Sequence, residues 1–155
     1  MNIRQYETRL DDGGFVKLDT VFSKYIPEIK NHFTNAEKVY QLCKVLGWDT
    51  YSEEHVFLLG LDIKKRLRGF FEIGVGDQNT CIIDVRGIGQ KVLLLNASCM
   101  LLVHNHPSGD PTPSKYDQDV SGNLKIFGNI LGIPFVDSII LGNGTYISFM
   151  EKGIL

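Results

Sequence analysis

Three side chains able to hold a metal stand close together in the second half of the chain: His104, His106 and Asp117. If the segment before Asn105 is a strand, successive side chains point to opposite faces, so His104 and His106 share one face and Asn105 turns to the other. Burying two imidazoles without a partner is costly, which favours a shared ligand over chance packing. Asp117 falls in the first turn of the helix expected next. Pro107, Pro111 and Pro113 stiffen the intervening loop, and Gly109 allows a backbone conformation that other residues avoid. Two nitrogens and one carboxylate suit zinc and leave a fourth tetrahedral position for water, the pattern of a catalytic site.

The second half of this pattern has a competing explanation. Ser114-x-x-Asp117 is also the signature of a helix N-terminus, with Ser114 as cap and an acidic residue in the first turn. A hydrolytic site further needs a base to accept the proton of an attacking water and return it to the leaving group. Glu53 and Glu54 precede the first core strand, where acidic residues are ordinarily solvated, and residue type alone does not choose between them. His32 and His55 read as packing or surface residues, and Asp119 points to a different helical face from Asp117. Ser108 has no base at a recognisable spacing, and Asp110 reads as a loop-shaping residue.

The elements that must position these residues alternate between strand and helix. A helix is expected from Thr34, where Thr34 and Glu37 have capping-box spacing, to Gly47. HVFLLGLD (His55–Asp62) suits a buried strand, Asp62–Arg68 a charged turn, and Leu67–Val75 its partner strand. Thr80–Val85 is a further β-like stretch, and Ile88–Ala97 a helix whose start Gly87 and Gly89 obscure. Cys99–Val103 is a strand running directly into His104. A helix from Ser114 to Gly132 follows, then strands Pro134–Leu141 and Tyr146–Phe149 joined by Gly142-Asn143-Gly144. This order predicts an α/β domain with a mixed sheet flanked by helices. Residues 1–33 read as an N-terminal arm of loop and short elements, turned at Asp11-Asp12-Gly13-Gly14 and broken at Pro27. Residues 34–155 read as the domain.

At 155 residues, one domain is the default, and a 43% hydrophobic composition supports a packed core. The net charge of -2 gives no reason to expect a phosphate backbone as the main partner, although a local basic patch is compatible with it. The apolar runs are too short to span a membrane and no signal-peptide core is visible, so a soluble, cytoplasmic protein is expected. Cys43, Cys81 and Cys99 form no CxxC pair and read as reduced thiols. Edge strands and the N-terminal arm make a homodimer an expectation.

The run LLVHNHPSGDPTPSKYD closely resembles the signature of RadC-like proteins. Together, His104-x-His106, Ser114 and Asp117 match the wider JAMM, or MPN-type, metallopeptidase motif. SEEHVFLLGLD resembles that family's first core strand and LGIPFVDSIILGNGTYISF its closing strands, so the resemblance covers residues 34–155. It implies a cytidine-deaminase-like architecture with His104, His106 and Asp117 as zinc ligands and Glu54 as general acid/base. Ser114 would orient or stabilise the substrate oxyanion, and the substrate would be a peptide or isopeptide bond. A deaminase activity is disfavoured, because the H-x-E and P-C-x-x-C ligands are missing. The chain departs from the family in three places. No helix-hairpin-helix is visible in residues 1–53, Asp137-Ser138 replaces a typical Asp-His, and Ile83-Asp84-Val85-Arg86 replaces a typical His-Pro-Arg stretch. A non-catalytic metal-containing binding module, or a DNA-repair or mobile-element accessory protein, are the alternative readings.

Overall fold

The computed structural model describes residues 1–76 and 83–155. Among these residues seven strands form one mixed sheet: β1 (Asn2–Leu10), β2 (Val16–Tyr25), β3 (Glu54–Leu61), β4 (Leu67–Gly76), β5 (Cys99–Asn105), β6 (Phe135–Leu141) and β7 (Tyr146–Ser148). Their order across the sheet is β2-β1-β4-β3-β5-β6-β7. The pairs β1/β4 and β5/β6 are parallel, and the others are antiparallel. Helix α1 (Ala36–Leu46) covers one face, while α2 (Val85–Leu94) and α3 (Lys115–Leu131) cover the other. The mixed α/β architecture expected for the domain is therefore the one observed.

The central strands are continuous apolar runs because helices cover both of their faces. Every residue of β5 is buried, and its side chains divide between two cores. Leu101 and Val103 pack toward α1, and Met100 and Leu102 toward α2 and α3. On the α1 side Trp48 stacks on Phe57 with ring centroids 3.9 Å apart and planes 7° from parallel, fixing the entry into β3.

Three local expectations are corrected. Residues 1–33 are not loop with short elements, because β1 and β2 form a long hairpin that extends the main sheet. Asp11-Asp12-Gly13-Gly14 is its turn, where the Asp11 carboxylate accepts the N–H groups of Gly13 and Phe15. Helix α1 is capped by Asn35 rather than Thr34: the Asn35 side chain accepts the Lys38 N–H, and Glu37 instead pairs with Gln41. Helix α2 starts three residues before Ile88, with Asp84 as cap. Gly87 and Gly89 lie inside it, where added Cβ atoms would meet Asp84 Oδ2 and Phe127 Cζ, each at 2.6 Å. Close packing, not a break, explains both glycines. Of the β-like stretch Thr80–Val85, residues 80–82 lie outside the described residues, as does Cys81, and Val85 is helical. Cys43 and Cys99 are buried free thiols.

Candidate metal centre

Strand β5 delivers the two histidines. It lies between β3 and β6, so its end cannot splay, and His104 sits opposite Val56 on β3 and Ile140 on β6. Past the strand, the His106 N–H donates to the Leu141 carbonyl at 2.9 Å, extending the β6 register by one bond. The loop then turns at Gly109 (φ +83°), where an added Cβ would lie 3.1 Å from Asn143 Cβ. The Gly109 carbonyl accepts the Asn143 N–H at 2.9 Å, anchoring this loop to the β6–β7 turn.

Helix α3 delivers Asp117. Ser114 is its cap, and a complete capping box is present: Ser114 Oγ accepts the Asp117 N–H, and Asp117 Oδ2 accepts the Ser114 N–H at 2.7 Å. The Ser114 hydroxyl also donates to Asp117 Oδ2 at 2.6 Å. The other carboxylate oxygen, Oδ1, faces His104 Nε2 at 3.2 Å. Burial by itself would raise the Asp117 carboxyl pKa. The His104 hydrogen bond and charge, with the two bonds from Ser114, outweigh it and lower the pKa to about 2.

The imidazoles converge as the strand alternation requires, with His104 Nε2 and His106 Nε2 3.1 Å apart. His106 Nε2 is 3.7 Å from Asp117 Oδ2. Ligands on a tetrahedron with bonds of roughly 2.0–2.1 Å stand roughly 3.3–3.4 Å from one another. His104 Nε2 stands 3.1 Å from His106 Nε2 and 3.2 Å from Asp117 Oδ1, both near that spacing, so these donors can converge on a zinc-sized ion. The His106 ring is also set for it. Its Nδ1 lies 2.8 Å from the Asp110 carbonyl, which can only accept, so Nδ1 carries the proton and Nε2 of the neutral ring presents a lone pair. Asp110 shapes the loop as expected, its carboxylate accepting the Thr112 N–H and hydroxyl.

Glu54, the first residue of β3, completes the group: one ligand atom each from Glu54, His104, His106 and Asp117 lie within 4.8 Å of one another. Glu53 is exposed and outside this group. His55 instead stacks on Tyr51 and contacts Glu72, and the exposed Asp119 pairs with Lys115.

Sequence reasoning missed Asn105. On the face opposite the histidines, its Oδ1 accepts the His55 N–H at 2.8 Å and its amide donates to the Glu53 carbonyl at 2.9 Å. It thereby ties the peptides on either side of Glu54 to β5. The available signal was an amide side chain at the end of an otherwise apolar strand, where burial demands partners. Beside His104 and Asp117, Ser138 and Ser121 line a cavity of about 20 Å³, and the buried Ser121 hydroxyl has no partner among the described residues. Asp137, on the α1 side, accepts the Ser148 hydroxyl at 2.6 Å and the Met150 N–H at 3.0 Å, tying β6 to the segment that includes β7.

A mixed sheet whose central strand ends in His-x-His, facing a carboxylate at the start of the next helix, defines a JAB-type domain with a candidate metal site. The RadC-like JAB domain model matches residues 33–154, and the chain belongs to that family. The UPF0758 protein of Caldanaerobacter subterraneus subsp. tengcongensis is 43% identical over 102 residues, 66% of this chain and 44% of that protein. The UPF0758 protein of Thermotoga maritima is 36% identical over 130 residues, 84% of this chain and 58% of that protein. The chain thus spans about half the length of the curated relatives it matches. No helix among the described residues is long and apolar enough to cross a membrane.

Proposed function

We propose that the chain is a zinc-dependent metallohydrolase of the JAMM type that cleaves a peptide or isopeptide bond. The convergence of Glu54, His104, His106 and Asp117 carries this reading. Zinc held by His104, His106 and Asp117 would supply Lewis acidity toward the scissile carbonyl and the attacking water. The residues do the rest. His106 is held in its ligating tautomer by the Asp110 carbonyl. Glu54 accepts the proton of the attacking water and returns it to the leaving amine, so one carboxylate serves as base and then acid. Ser114 acts by positioning: its single hydroxyl proton is engaged by Asp117 Oδ2, so it orients the ligand carboxylate before it can serve an oxyanion.

Metal analysis of purified protein tests the first part, with about one zinc per chain expected in the wild type and none in a His104→Ala, His106→Ala variant. Absence from both refutes the metal assignment. A panel of peptide and isopeptide substrates tests the second. Glu54→Gln should keep zinc and lose roughly 10²–10⁴-fold in rate, the usual contribution of general acid–base catalysis. Unchanged turnover in that variant removes Glu54 from its role.

A further inference from the structure

The two edges of the sheet are built differently. β7, at one edge, is three residues long, a length that offers little to a passing strand. β2, at the other, is ten residues long, contains no proline, and has no strand partner along its outer row of backbone groups among the described residues. Every residue from Thr20 to Tyr25 is exposed, including Val21 at 48%, Phe22 at 39% and Tyr25 at 66%. Such an edge is a template for another strand.

Its sequence suits a second copy of itself. The register of β1 on β2 shifts between Gln5 and Tyr6, which pair with Phe22 and Thr20, so Val21 is a bulge. The bulge resets the alternation: Lys17, Asp19, Phe22 and Lys24 share one face, and Leu18, Thr20, Ser23 and Tyr25 share the other. Antiparallel pairing puts directly opposite residues on a common face. Two self-pairing registers that run through both bulges meet that condition. One places Lys17 opposite Lys24 of the other copy, like charges at two symmetry-related points. The other places Asp19 opposite Lys24 at both points, Val21 opposite Phe22, and Leu18 opposite Tyr25. Asp19 is partly exposed and contacts Lys17 at 3.2 Å and Arg9 at 3.7 Å within its own chain, while Lys24 has no ion-pair partner among the described residues. Charge therefore selects the second register.

We propose that β2 is a homodimer interface, pairing antiparallel with β2 of a second copy over residues 18–25 in the Asp19–Lys24 register. The two sheets then become one, and the lysines, which commonly protect an edge, act as register markers.

Sedimentation equilibrium of the full chain should give twice the 17.4 kDa chain mass at tens of micromolar. Asp19→Lys turns both attractive pairs repulsive and should weaken association by about tenfold or more. Adding Lys24→Asp restores opposite charges at the same points and should recover the dimer. A monomeric wild type, or a double variant no better than the single one, overturns the proposal. Cysteine crosslinking checks the register without altering charge. A mixture of Thr20→Cys and Ser23→Cys chains should form a disulfide-linked heterodimer under mild oxidation, whereas either alone should not. Equal crosslinking in the single-variant samples excludes this register.

Discussion

Replacing Asn105 with alanine tests whether the site is held from behind the sheet. The substitution removes the acceptor of the His55 N–H at 2.8 Å and the donors to the Glu53 carbonyl at 2.9 Å and the Tyr51 carbonyl at 3.3 Å. Asn105 is 2% exposed, so water does not readily take its place. Each buried polar group left without a partner costs about 1–3 kcal/mol. The Tyr51 bond is long and counts for little, leaving two good bonds and an expected loss of about 2–6 kcal/mol. For a chain of this length that corresponds to a fall in Tm of roughly 4–24 °C. Urea unfolding of metal-free protein measures it directly. Because the Asn105 side chain points to the face opposite His104 and its bonds go to Tyr51, Glu53 and His55, zinc content should stay at the wild-type level while catalysis falls with the loss of Glu54 alignment. A destabilisation below about 0.5 kcal/mol at unchanged m-value would refute the reasoning, since it would mean that these bonds are readily replaced by water.

Other expectations follow from the same geometry. Gly109→Ala, at φ +83° and facing Asn143 Cβ at 3.1 Å, should cost about 1–2 kcal/mol in thermal unfolding and lower zinc affinity with it. In metal-free protein, Asp117 has its carboxyl pKa lowered from 3.8 to about 2, so its stabilisation of roughly 2 kcal/mol is present above pH 4 and is lost as pH falls toward 2. Asp117→Asn should flatten stability over that window in an acid titration, and an unchanged slope would assign the acid sensitivity elsewhere. Ser114→Ala should remove about 1 kcal/mol of capping and weaken zinc binding about tenfold or more, as measured by competition with a chelating dye. Unaltered affinity combined with a fall in kcat would instead favour the oxyanion role. Chelation of a zinc-loaded sample should lower stability by about 2.7 kcal/mol relative to protein with free zinc at a hundred times its Kd.

The site was more legible in the chain than its surroundings. His104 and His106 could be placed because β5 is covered on both faces, which made it a long apolar run ending at the first histidine. Helix α3 announced itself through Ser114 and Gly132, both of which cap it as expected. The hairpin escaped notice for the opposite reason. On β1 only Ile3 is fully buried and on β2 no residue is, so neither strand shows the alternation by which a half-buried strand is recognised. Thr34 was expected as the cap that Asn35 supplies because both are good caps one residue apart, and only backbone dihedrals separate them. Asn105 escaped because it lies between two louder residues, and its purpose depends on β3, fifty positions away in sequence.

Capping and metal binding were opposed as explanations of Ser114-x-x-Asp117, yet the carboxylate serves both at once. Oδ2 closes the capping box, and this fixes the rotamer that turns Oδ1 toward His104. A ligand held this way gives up little rotamer freedom when an ion binds, because the helix has already restricted it. The same economy applies to His106, whose ring is fixed by a carbonyl of the loop, and to Glu54, whose flanking peptides are fixed by Asn105. The Asp117 carboxylate and the His106 ring are thus restrained directly, and Glu54 through its backbone, in each case by a group outside the four that converge.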